Sequence, residues 1–152
     1  KRLTGYIAKK EIQKVPFLSV WMQYLYCLFL DRENAKEGLK TILKAIEYVK
    51  NGISIFIFPE GTRNKGEELS LLPFKDGAFR IATKTGCPIV PVSLNNTADI
   101  LENHFPRIKK THVVIEYGKP IYPNELDAET KKHIGAYVQN IVQETINKNA
   151  EI

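Results

Sequence analysis

Short apolar runs alternate with longer amphipathic stretches along this chain, and that alternation predicts an α/β protein. Tyr6, Ile7 and Ala8 read as a short strand that gives way to the basic pair Lys9 and Lys10. Between residues 16 and 26, Phe17, Leu18, Trp21, Met22, Tyr24 and Leu25 recur at spacings of three and four. That spacing predicts a short amphipathic helix with Pro16 in its first turn. Its rings suit a membrane–water interface or, equally, packing on a sheet. Residues 27–30 read as a strand ending at Asp31 and Arg32. Asn34 with Glu37 three places on is an N-capping pattern. It opens a helix with Leu39, Ile42, Leu43, Ile46 and Val49 on one face and Gly52 as its stop.

The apolar run 53–58 is too short for a globular helix and predicts a buried strand. A long loop, 59–73, is polar at first and then carries Leu69, Leu71 and Leu72; long loops are often functional. Residues 75–85 predict a helix closed by Gly86. Residues 88–94 predict a strand buried on both faces. An irregular stretch over 95–111, a strand over 112–117 and a turn-rich exit follow. A last helix over 127–148 carries Ile134, Val138, Ile141, Val142 and Thr145 on one face. The fold class expected is α/β, a mostly parallel sheet flanked by helices, in a single domain over 1–152.

Composition narrows the partners. The chain has 152 residues, 43% hydrophobic and 26% charged, which is enough for a packed core and typical of globular proteins. A net charge of +5 favours anionic partners. No zinc-finger spacing, RNA-recognition signature or long Lys/Arg block points to nucleic acid. Cys27 and Cys87 lie in apolar contexts and are expected to be buried core thiols of a reducing compartment. Two cysteines and three histidines without ligand-like spacing predict no metal. No stretch has the length of a membrane span; the longest uncharged run, 15–30, is interrupted by Pro16. No signal peptide is visible.

The chemistry concentrates where the 53–58 strand ends, at Phe58-Pro59-Glu60-Gly61-Thr62-Arg63. Pro59 and Gly61 break the strand and place Glu60, Thr62 and Arg63 on a loop at its carboxyl end, where open α/β sheets bind ligands. A carboxylate, a hydroxyl, a permissive glycine and a guanidinium fork suit a phosphorylated alcohol, because the fork grips phosphate bidentately. The plain alternative is a strand-ending turn with a solvated arginine.

The wider spacing is more specific. The hexapeptide is followed by Leu72-Pro73-Phe74-Lys75-Asp76-Gly77-Ala78. It is preceded by Ala8-Lys9-Lys10-Glu11-Ile12 and by Leu28-Phe29-Leu30-Asp31-Arg32-Glu33-Asn34, and Ile89-Val90-Pro91-Val92 comes last. In order and spacing, over about residues 6–122, these blocks resemble the glycerophosphate acyltransferase family, and within it the 1-acylglycerol-3-phosphate acyltransferases. The family's His-x-x-x-x-Asp motif is not in the chain: Lys109, Tyr117 and Val138 stand five places after His104, His112 and His133. In the family that motif precedes the Ala-Lys-Lys-Glu block. The chain is therefore expected to be an N-terminally truncated core, with no catalytic residue of its own and inactive alone.

The resemblance implies a layered α/β fold and acyl transfer from an acyl thioester, on CoA or acyl carrier protein, to the sn-2 hydroxyl of 1-acylglycerol-3-phosphate, giving phosphatidic acid. A histidine base and its orienting aspartate would supply the proton chemistry. It implies no cofactor beyond the thioester co-substrate. It implies lysophospholipid and a membrane surface as partners, on the cytoplasmic side. Arg63 is the first candidate for the substrate phosphate, Lys9 or Lys10 the second and Arg32 the third. Glu60 and Gly61 are expected to shape the loop, with Glu60 bonding backbone or a substrate hydroxyl. Thr62 is expected to assist and Pro91 to shape the pocket wall, while Lys75 reads first as a surface lysine at a helix start and, as the alternative, as a second cation within reach of the phosphate. Glycerol-3-phosphate or another lysophospholipid as acceptor, and a non-catalytic phosphate- or lipid-binding module, are the alternatives.

Overall fold

The computed structural model describes residues 3–66 and 69–151. Residues 67 and 68 of the expected long loop lie outside the described residues. The chain divides into two compact units. One comprises Lys1–Pro59 with Gly77–Cys87, the other Glu60–Asp76 with Pro88–Ile152.

The first unit holds a three-stranded parallel sheet. Its strands are β1 (Thr4–Lys9), β2 (Leu28–Leu30) and β3 (Ser54–Phe56), in the order β2-β1-β3. Ile7 pairs with Leu28 and Tyr6 with Phe56. Parallel neighbours need crossovers. A 3₁₀ turn (Lys10–Lys14) and helix α1 (Leu18–Tyr24) carry the chain from β1 to β2, and helix α2 (Ala35–Lys50) carries it on to β3. Helix α3 (Arg80–Thr85) packs on α2. The α/β architecture read from the sequence, a parallel sheet with flanking helices, is present.

Local signals set most boundaries. The Asn34 side chain accepts hydrogen bonds from the backbone N–H groups of Lys36 and Glu37, at 3.1 and 3.2 Å. This satisfies two amides that the helix itself cannot. Glu37 in the first turn and Lys50 in the last complement the helix dipole. Gly52 and Gly86 end α2 and α3 with φ of 81° and 70°.

Helix α1 departs from its expected start. Phe17 has φ 62°, outside helical space, so the helix begins at Leu18 and Pro16 lies in the preceding turn. The buried face of α2 is also rotated from the apolar stripe. Ala45 is fully buried and Ile42, Ile46 and Val49 are half-buried, while Leu39 and Leu43 are exposed. The small residues set this rotation. Gly38 passes close to the Asp31 carbonyl, and the Thr41 hydroxyl donates to the Phe29 carbonyl at 3.1 Å. Cys27 is buried as expected, whereas Cys87 is only half-buried, just beyond the end of α3.

The second unit is built on an antiparallel pair, β4 (Val92–Asn95) and β5 (Val114–Tyr117), with Ile89 bridged to Ile121. Helix α4 (Ala128–Lys132) and helix α5 (Ile134–Asn149) complete it. The expected single helix over 127–148 is broken at His133, whose φ of −112° leaves the helical range. Asp127 caps α4, accepting from the Glu129 and Thr130 N–H groups. On α5, Ile134, Val138, Val142 and Ile146 are buried, each stabilising the unit by about 1.5–3 kcal/mol.

β4 is not buried on both faces as its apolar run suggested. Its burial alternates, and the inward residues are Ser93 and Asn95, facing α5. The physical reason is a hydrogen bond: the Asn95 amide donates to the Ile146 carbonyl at 2.9 Å. This recovers the desolvation cost of the amide N–H group, while Asn95 Oδ1 is buried without a hydrogen-bond partner among the described residues.

Candidate functional site

The residues singled out in the sequence fall into two groups, one in each unit. In the first unit, Lys9, Lys10 and Arg32 line a cleft of about 240 Å³ at the carboxyl ends of β1 and β2, together with Leu30, Asp31 and Lys14. Strand ends put them there. Lys9 is the last residue of β1, and Asp31 and Arg32 directly follow β2.

Asp31 organises this cleft. One carboxylate oxygen accepts the backbone N–H groups of Glu33 and Asn34 at 3.0 and 3.1 Å. The other accepts the Lys10 ammonium at 2.7 Å. The Lys10 bond holds the Asp31 carboxyl below its ordinary range, helped by the two backbone donors. Asp31 in turn raises Lys10. Lys9 pairs with Glu11 at 3.0 Å. Among the described residues Lys14, Arg32 and Glu33, which also lines the cleft, form no salt bridge, so two cations stand there against one unpaired carboxylate. Lys14 was not singled out in the sequence. It enters because the 3₁₀ turn folds it back beside the strand ends, a placement that no periodicity announces.

In the second unit the loop after Pro59 is held from several sides. The Glu60 carboxylate accepts the Leu72 N–H at 2.8 Å. Gly61 is left-handed, with φ 70°. Lys75 lies across it, its Cδ and Nζ each 3.2 Å from where a Cβ on Gly61 would sit. The motif's cations are thus Arg63 and Lys75. Thr62 is exposed. Arg63 is 73% exposed, and its guanidinium lies 3.7 Å from the Glu102 carboxylate, a loose pair that a bound phosphate could displace.

Two further residues were missed. Gln139 and Gln143 of α5 bond the backbone of the loop that carries Leu69, Leu71 and Phe74. Their i, i+4 spacing reads in the sequence as one more polar helix face. His104 Nε2 lies 4.0 Å from Asp99 Oδ1, beyond hydrogen-bond reach. Among the described residues no group of three or more His, Cys, Asp or Glu side chains could hold a metal ion.

Comparison with known proteins follows the same residues. The acyltransferase family model matches residues 1–95. The 1-acyl-sn-glycerol-3-phosphate acyltransferase of Saccharomyces cerevisiae is 36% identical over 146 residues, covering 95% of this chain and 47% of its own length. The enzyme of that name from Escherichia coli strain K12 is 31% identical over 141 residues, covering 92% and 56%. The crystal structure of the 1-acyl-sn-glycerophosphate (LPA) acyltransferase PlsC from Thermotoga maritima matches with a TM-score of 0.78 at 28% identity. That match covers 97% of this chain and 57% of that one. The chain spans about half the length of the relatives it matches.

Proposed function

The chain belongs to the acyltransferase family, and from that premise we propose that the protein transfers a fatty acyl group from a thioester to the sn-2 hydroxyl of 1-acylglycerol-3-phosphate, giving phosphatidic acid. One observation in the chain supports this reading most directly. The loop at Glu60–Arg63 is pinned at Glu60, turned at Gly61 and flanked by the ammonium of Lys75, while its arginine is presented to solvent.

In this reading Arg63 takes the substrate phosphate as a bidentate partner, exchanging the Glu102 carboxylate for a doubly charged anion. Lys75 adds a second positive charge at the same loop. Glu60 and Gly61 keep the loop in shape, and Thr62 offers a hydroxyl. The cleft of Lys9, Lys10 and Arg32 is the second candidate for that phosphate. The residues of this chain contribute positioning, which by itself lowers a barrier substantially when a nucleophile is held in line with its target. The hydroxyl proton is assigned to none of its three histidines. The co-substrate is an acyl thioester of CoA or of acyl carrier protein, with no other cofactor.

The lipid acceptor places the reaction at a membrane surface, and helix α1 supports that placement. Phe17, Trp21 and Tyr24 are 88%, 68% and 80% exposed, while Ser19 is the residue α1 buries. A ring-bearing helix beside Lys9, Lys10 and Lys14 suits an anionic headgroup layer. The free thiols of Cys27 and Cys87 fit its cytoplasmic side. No described helix is long and apolar enough to cross a membrane.

The test is phosphatidic acid formation by the natural-length protein, with CoA-linked and carrier-linked donors. Lysophosphatidic acid, glycerol-3-phosphate and other lysophospholipids are compared side by side as acceptors. Arg63→Ala is expected to lower turnover at limiting lysophosphatidic acid by about tenfold or more. Near-normal turnover would remove Arg63 from the phosphate site, and parallel Lys9, Lys10 and Arg32 variants would then show whether the cleft holds it instead.

A further inference from the structure

We propose that Gln139 and Gln143, on the carboxyl-terminal helix α5, are positioning residues for the Glu60–Arg63 loop, acting through a strap of backbone at 69–74. The inference rests on the reading that this loop grips the substrate phosphate.

The strap is an irregular segment whose amides are taken up by side chains instead of a neighbouring strand. Gln143 works as a two-sided clamp: its Oε1 accepts the Leu71 N–H at 3.2 Å and its Nε2 donates to the Leu69 carbonyl at 2.6 Å. A carboxamide carries one acceptor and two donors on one planar group, so a single glutamine can mimic a strand's peptide edge. Gln139, one helical turn earlier, accepts the Phe74 N–H at 2.9 Å. Between them the Leu72 N–H points to Glu60 and donates at 2.8 Å. Pro73 has no N–H to satisfy.

Three routes connect the strap to the loop. The side-chain amide of Asn64, next to Arg63, donates to the Ser70 carbonyl at 2.6 Å. Leu72 anchors the carboxylate of Glu60, next in sequence to Gly61 and three residues before Arg63. Phe74 is followed by Lys75, whose side chain lies across Gly61. The glutamines therefore fix both the back of the loop and the origin of its second cation, with no hydrogen bond of their own to Arg63 or Lys75. They lie beyond residues 1–95, the part of the chain matched by the family model. Misplacing a binding group by about 1 Å is enough to cost up to about 100-fold in rate.

The bond pattern predicts a distinctive set of variants. Gln139 is used as an acceptor, so Gln139→Glu keeps the Phe74 bond and Gln139→Ala loses it. Gln143 is used as both donor and acceptor, so Gln143→Glu loses the Leu69 bond and sets a carboxylate against a carbonyl oxygen.

The experiment measures acyl transfer by the natural-length protein against lysophosphatidic acid, with Tm recorded for each variant. In Gln139→Ala and Gln143→Ala, KM for lysophosphatidic acid is expected to rise roughly tenfold with kcat within about twofold. Gln139→Glu should restore the normal KM and Gln143→Glu should not. A purely structural role would lower Tm without this split. If Arg63→Ala raises KM while the glutamine variants do not, or if Gln139→Glu is as impaired as Gln139→Ala, the strap is not a positioning device and the phosphate reading stands. If Arg63→Ala leaves KM unchanged, the phosphate reading falls and the inference falls with it.

Discussion

The side chain of Lys75 lies across the α-carbon of Gly61, so close that a Cβ there would meet both its Cδ and its Nζ at 3.2 Å. Gly61 is also left-handed, a conformation that costs an L-residue roughly 1–2 kcal/mol. Gly61→Ala is therefore expected to destabilise the protein by about 1 kcal/mol and to push the Lys75 ammonium off the loop. A lower denaturation midpoint together with weaker lysophosphatidic acid use would show both effects. Lys75→Met keeps the stem and removes the charge. If it matches Gly61→Ala in substrate use without the stability loss, the charge is what the substrate feels; unchanged substrate use would leave Lys75 a packing residue.

The Lys10–Asp31 bond predicts a pH dependence. Asp31 is held below its ordinary range by the Lys10 ammonium and the backbone donors, so its stabilisation is present at neutral pH and lost as pH falls through the depressed value. Lys10 is raised by Asp31, so its share is present below the ordinary lysine range and lost as pH rises through the raised value. Urea midpoints of the natural protein and Asp31→Asn should differ by a constant amount from about pH 5 to about pH 9 and converge below about pH 4. A difference that persists unchanged at pH 2 would mean the charge pair is not what Asp31 contributes.

Helix α1 offers its rings to solvent, and burial of a large apolar side chain contributes on the order of 1.5 kcal/mol or more. Replacing Trp21 and Tyr24 together by Ser is expected to weaken sedimentation with vesicles containing anionic lipid by roughly tenfold. Tm should hardly change, because neither side chain is in the core. Equal binding by the variant would place the membrane contact elsewhere.

Much of the first unit was legible in the sequence, because the deciding interactions are local. Asn34 caps its own helix, Gly52 and Gly86 stop theirs, and short apolar runs separated by amphipathic helices admit little besides a parallel sheet with crossovers. Tertiary packing decided what lies between the stripes. The apolar face of α2 is wider than the surface it covers, and the small residues Gly38, Thr41 and Ala45 turn it so that Leu39 and Leu43 face outward. β4 reads as a buried strand, yet its pairing with β5 and the Asn95 side-chain N–H bond to the Ile146 carbonyl of α5 go with Ser93 and Asn95 facing inward. His133 breaks the helix expected over 127–148, just before its apolar face begins at Ile134.

For the candidate site, the sequence by itself determined the chemical inventory: a carboxylate, a permissive glycine, a guanidinium and nearby ammonium groups, in the order that marks the acyltransferase family. Only the tertiary structure decided which of these hold one another. Glu60 meets Leu72 across 12 residues, Lys10 meets Asp31 across 21, and Gln143 meets Leu69 across 74. The reason is physical: a hydrogen bond depends on atoms within about 3 Å, and separation along the chain says nothing about that distance until the helices and strands have packed.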